Sequence, residues 1–119
     1  MTTTAAPAPP LARNGAPATI FLSYSREDEG RVAPLIAALE GAGHALWWDG
    51  LLQPGERFAQ STAAALEAAK VVVVAWSATS VKSHWVHDEA TRGRDRGCLL
   101  PVSLDGTLPP LGFGQFQSI

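Results

Sequence analysis

Cysteine is almost absent from this chain: Cys98 stands alone, which excludes an internal disulfide and a cysteine-rich metal site. No apolar run approaches the ~20 residues that a membrane-crossing helix requires, and the N-terminus has neither the basic start nor the apolar segment of a secretory signal. Charge of one sign is lacking as well. Nine Lys and Arg against eleven Asp and Glu leave a net charge of −2, which argues against binding nucleic acid through a basic surface. The expectation is a cytoplasmic protein whose ordered domain contacts neither membrane nor nucleic acid. Common catalytic devices are missing too: there is no Gly-rich phosphate loop, no G-x-S-x-G elbow and no cysteine beside a histidine. His44, His84 and His87 lack a metal-clamping spacing, so no metal and no bound cofactor are expected.

What remains is a chain of 119 residues, 46% hydrophobic, which is the size and composition of one globular domain with a real core. Residues 1–18, with prolines at 7, 9, 10 and 17, carry no hydrophobic periodicity and read as a disordered arm. Order is expected from Thr19, and the domain over residues 19–119. Strands and helices then alternate. Ile20 to Leu22 is the first strand. Asp28 is the expected N-cap of a helix reaching Ala42, with Val32, Leu35, Ile36 and Leu39 on one face. Pro34 is tolerated there because it falls near the first turn.

His44 to Trp48 reads as the second strand, and Asp49 to Glu56 as a long loop. Phe58, Thr62, Ala65, Leu66 and Ala69 line one face of a second helix. Val71 to Trp76 is an unbroken apolar run, the pattern of a strand covered on both faces. Ser83 caps a third helix from His84 to about Arg96, and Gly97 stops it. Cys98 to Val102 is the fourth strand, and Gln115 to Ile119 the start of a fifth.

Such alternation predicts an α/β fold: a flavodoxin-like, doubly wound parallel sheet of order 2-1-3-4-5. The helix that would cover one face after the fifth strand is missing, so the chain is expected to be part of something longer. Ligands of these sheets bind at the carboxyl ends of the strands. That edge holds Ser23, Tyr24, Ser25 and Arg26 from the first strand, Trp47, Trp48 and Asp49 from the second, and Trp76 and Ser77 from the third. Aromatic faces, hydroxyls and an arginine suit a ligand with flat rings, ribose and phosphate. The plainer reading makes half of these residues core, with Tyr24 and one of the two adjacent tryptophans simply packed. A phosphate-receiver domain has the same sheet order, but it needs paired acids and an aspartate after the third strand, where Trp76-Ser77 stands.

Three segments in order resemble a Toll/interleukin-1 receptor (TIR) domain of the bacterial NAD-cleaving type. The first is Ile-Phe-Leu-Ser-Tyr-Ser-Arg-Glu-Asp at Ile20 to Asp28. Next come Trp47-Trp48-Asp49 with Leu52, Pro54, Gly55 and Phe58, similar to the loop through which TIR domains self-associate. The last is Trp85-Val86-His87-Asp88-Glu89-Ala90, similar to the segment in which a Trp-Val pair precedes the catalytic glutamate.

That resemblance implies hydrolysis of the nicotinamide–ribose bond of NAD, giving nicotinamide and ADP-ribose or a cyclic form, with NAD as substrate and Glu89 as the catalytic residue. Ser23, Tyr24, Arg26, Trp48, Asp49, Phe58, Ser77 and Trp85 would bind the substrate. It further implies self-association through Asp49 to Phe58, a sensor or oligomerising module after Ile119, and a role in defence signalling. Without the resemblance, Glu89 and Asp88 read as surface partners of Arg92 at helical spacing, worth a few tenths of a kcal/mol. Arg92, Arg94 and Arg96 are expected to face solvent. The rivals are a non-catalytic TIR–TIR adaptor, a mimic of host TIR signalling, and a nucleotide base- or ribosyl-transfer enzyme.

Overall fold

Alternation along one central strand organises the molecule. Val72, Val74 and Trp76 pack into one hydrophobic cluster while Val73 and Ala75 pack into another, so this strand is covered on both faces. The computed structural model describes residues 12, 15, 17–48, 58–110 and 112–113, with side chains of the second helix described from Thr62 onward. Four parallel strands, β1 (Ile20–Ser23), β2 (Leu46–Trp47), β3 (Val71–Trp76) and β4 (Leu99–Ser103), form a sheet of order β2-β1-β3-β4. This is the expected doubly wound order as far as the fourth strand; Gln115 to Ile119 lies outside the described residues. β2 is shorter than expected because it has β1 as its only described neighbour and pairs with it through Leu46 and Trp47 alone.

Helices α1 (Glu29–Gly41), α2 (Phe58–Ala68) and α3 (His84–Asp95) cover the two faces. Val32 and Ile36 of α1 pack with Leu22, Leu46, Trp48 and Val73 on one side. Ala65, Leu66, Val86 and Ala90 of α2 and α3 pack with Phe21, Trp47, Val72 and Val74 on the other. Ser83 caps α3 as expected, its hydroxyl accepting from the Val86 amide at 3.2 Å. Val86, Glu89, Ala90 and Gly93 form the buried stripe of that helix. At Gly93 an added Cβ would lie 2.8 Å from Val72 Cβ, so glycine lets α3 seat directly on the central strand.

Two local expectations are corrected, and two are filled in. Asp28 sits at the N-cap position of α1, behind a short 3-10 turn at Arg26–Asp28, but its carboxylate bonds elsewhere and makes no cap hydrogen bond. Pro34 is the sixth residue of α1 rather than near its first turn; the carbonyl it leaves without a donor belongs to Gly30, which is exposed to solvent. Ala12 and Ala18, assigned to the arm, are buried in the α2–α3 side cluster. The α3 arginines do more than face solvent. Arg92 pairs with Glu67 at 2.9 Å, Arg94 lies 5.0 Å from the centre of the Phe113 ring, and Arg96 donates to the Leu66 and Ala69 carbonyls at 2.7 Å each. Arg96 thereby satisfies carbonyls at the C-terminal end of α2, where the helix leaves them unpaired.

Candidate functional site

Strand parity places Ser23 on the same face of the sheet as Phe21, toward α3. There its hydroxyl donates to Glu89 Oε1 at 2.5 Å across 66 residues of sequence. Glu89 is 6% exposed, and Ser23 1%. A buried carboxylate carries a large desolvation cost unless hydrogen-bonded, and Ser23 offsets part of it. Glu89 is not the exposed surface acid of the plainer reading: it is buried and accepts from Ser23, while Arg92 pairs with Glu67.

A second buried carboxylate stands at the same sheet edge. Asp28, 3% exposed, accepts from Ser77 Oγ at 2.5 Å. Ser77 and Ser80 close the arrangement: each hydroxyl accepts from the other's backbone amide, at 2.7 and 3.0 Å, and Ser80 Oγ donates to the Ala75 carbonyl. The Thr79 amide also reaches Ser77 Oγ. This knot fixes the loop after β3 to the start of α1.

Three openings meet around Trp85, which is 42% exposed. The largest is a cleft of about 770 Å³ along the loops after β1 and β3, lined by Tyr24, Ser25, Arg26, Glu27, Thr79, Lys82, Ser83 and Trp85. It carries two cations, one carboxylate, four hydroxyls and two aromatic faces. Ser25 donates to Glu27 in this wall, and that bond, with the Glu27 backbone amide, holds the Glu27 carboxyl below its ordinary range. The second is a groove of about 160 Å³ between α2 and α3, bordered by Thr62, Leu66, Trp85, Asp88, Glu89 and Arg92. The third is a hollow of about 10 Å³ enclosed by Phe21, Leu22, Tyr24, Trp47, Thr62, Trp85 and Glu89. Groove and hollow share Thr62, Trp85 and Glu89, so the carboxylate lies where they join.

Of the residues expected from sequence, Tyr24, Trp85 and Glu89 border the hollow, Ser23 is bonded to Glu89, and Arg26 joins Tyr24 and Trp85 in the cleft. Trp48 does not join them. It packs with Leu22, Tyr24 and Val32 on the α1 side, while its neighbour Trp47 stacks on Phe21 with ring centres 5.2 Å apart and borders the hollow. The sheet is covered on both faces, so both tryptophans are buried, on opposite sides. Ser77 also stands apart, engaged with Asp28. Asp49 and the loop through 57 lie outside the described residues, and so does the Phe58 side chain. Lys82 and Thr62 were not anticipated as site residues. The sequence signal for Thr62 was a polar residue at a core position of an amphipathic helix; Lys82 gave none.

A parallel doubly wound sheet with a buried carboxylate beside an aromatic-lined cleft at its carboxyl edge defines the class. The family follows from comparison with known proteins. The family model described as TIR domain matches residues 20–119, and the chain belongs to the TIR domain family. Among solved structures it is similar to the TIR domain of the Toll-related receptor TRR-2 from Hydra magnipapillata, with TM-score 0.77 and 20% identity over 86% of this chain and 82% of that one. It is also similar to the TIR domains of the activated Roq1 resistosome, which directly recognises the pathogen effector XopQ, with TM-score 0.62 and 24% identity over 71% of this chain and 55% of that one. A metazoan TIR-STING receptor from C. gigas gives TM-score 0.65 and 24% identity, over 83% of this chain and 35% of that one. At these identities the likeness is one of fold. No curated protein sequence matches the chain.

Proposed function

We propose that this TIR domain hydrolyses the nicotinamide–ribose bond of NAD, with Glu89 as its catalytic residue. The observation that carries the reading is the buried Glu89 carboxylate, held by Ser23 and facing a hollow walled by Tyr24, Trp47 and Trp85. Nicotinamide in NAD is a cationic leaving group, so the C1′–N1 bond breaks with its electron pair moving to the ring, which departs neutral. No acid is needed to protonate it, unlike the leaving oxygen of an ordinary glycoside. The ribose gains oxocarbenium character, and a fixed anion in a water-poor site stabilises that charge, directly or through the ribose hydroxyls. Water then adds at C1′ and gives up a proton, yielding ADP-ribose; attack by an adenine nitrogen instead gives a cyclic product.

The cleft beside Tyr24, Arg26 and Trp85 suits the rest of the dinucleotide. Arg26 and Lys82 offer charge to the diphosphate, and the aromatic faces offer stacking to adenine. The hollow at Glu89 has room for about one water, whereas a nucleoside needs a pocket of several hundred Å³. The site must therefore widen before NAD enters. Activation by self-association through Asp49 to Phe58 supplies a reason for it to do so, and a role in defence signalling fits an enzyme silent until assembled. The same narrowness favours one second reading, a TIR–TIR adaptor with no turnover.

NAD consumption by the domain at high local concentration, beside Glu89→Ala, separates the two. Nicotinamide release that disappears in the variant supports the enzyme. A folded, concentrated domain that releases none supports the adaptor.

A further inference from the structure

Thr62 is 4% exposed, and its hydroxyl oxygen has no hydrogen-bond partner among the described residues. A buried hydroxyl without a partner is uncommon, and it is costly because its hydration has been given up for nothing. Its position supplies a reason. Thr62 lies in the second turn of α2, and with Glu89 and Trp85 it borders both the hollow and the groove. Helices α2 and α3 thus present one polar group each to the same space, a hydroxyl from one and a carboxylate from the other. The remaining walls come from Phe21, Leu22, Tyr24 and Trp47, with the Trp85 ring.

We infer that Thr62 is a substrate-contacting residue whose hydroxyl hydrogen-bonds a hydroxyl of the nicotinamide-side ribose, opposite Glu89. This rests on the NAD reading and sharpens it, since it gives the ribose a second polar anchor from a different helix. Because the Thr62 hydroxyl makes no hydrogen bond among the described residues, its removal costs binding in the reacting complex and little in the free fold.

The experiment compares wild type, Thr62→Val and Thr62→Ser for NAD turnover at high local concentration, with thermal unfolding of each. Valine keeps the shape and deletes the unpartnered hydroxyl. The expected result is a fall in kcat/KM of roughly tenfold or more for Thr62→Val, a thermal midpoint equal to or above wild type, and activity near wild type for Thr62→Ser. Thr62→Val with wild-type kcat/KM overturns the inference, and leaves a core threonine or a bridging water while NAD cleavage stands. A valine variant whose midpoint falls along with its activity, with serine equally damaged, overturns it in favour of packing. No turnover by wild type removes the NAD reading and this inference together.

Discussion

Two buried carboxylates at one sheet edge, each accepting a serine hydroxyl at 2.5 Å, have opposite surroundings. Asp28 belongs to a closed knot. Ser77, Ser80, three backbone amides and the Ala75 carbonyl use up the polar groups about it, and it borders none of the openings described. Glu89 is held on one side by Ser23 and on another borders a hollow and a groove. The same pair of functional groups therefore closes a structural knot in one place and adjoins open space in the other. Burial alone does not distinguish them; what adjoins the carboxylate does.

The most direct way to break this contrast is to neutralise each acid in turn. Glu89→Gln should lower NAD turnover by at least about a hundredfold, the scale of losing one electrostatic stabiliser of a transition state, while moving the thermal midpoint little. Asp28→Ala should do the reverse. It strips the acceptor from a buried knot at a cost of about 1–3 kcal/mol, read as a midpoint several degrees lower, with per-folded-molecule activity largely kept. If Asp28→Ala destroys turnover without destabilising the fold, the division of labour proposed here is wrong.

Gly93→Ala tests whether Glu89 needs its close seat. The added methyl meets Val72, so α3 must lift, costing about 1–3 kcal/mol and displacing Glu89 from Ser23; stability and turnover should fall together.

The smallest effect concerns a surface carboxylate. Bonds from the Thr107 side chain first, then from the Ala78 and Thr107 amides, lower Asp105 to a pKa of about 2 from 3.8. The folded state thus keeps this group ionised where the unfolded chain protonates it. Its contribution to stability is present above about pH 4 and is lost as pH falls toward 2. Asp105→Asn should flatten that part of an acid-unfolding curve slightly and leave the neutral midpoint almost unmoved.

Much of this was legible in the sequence, for local reasons. The valine run declared β3, Ser83 declared the start of α3, and Trp85 to Glu89 put the carboxylate one turn beyond the tryptophan. What escaped depended on long-range pairing. Asp28 looks like a helix cap until Ser77, 49 residues away, takes its carboxylate. Choosing between Trp47 and Trp48 requires knowing which face of the sheet carries α3, which no local pattern states. Thr62 reads as a tolerated polar residue on an apolar stripe, and only packing reveals that its hydroxyl is left over. The loop from Asp49 to residue 57, expected to mediate self-association, falls outside the described residues.

The two bonds from Arg96 to the end of α2 bear on how such a site opens. Thr62 and Glu89 stand on helices whose far ends are fastened together, while their leading ends at Phe58 and His84 carry no comparable bolt among the described residues. A pair of levers joined at the rear parts at the front. Were these helices to part, the separation would be least at Arg96 and greatest at the opposite ends.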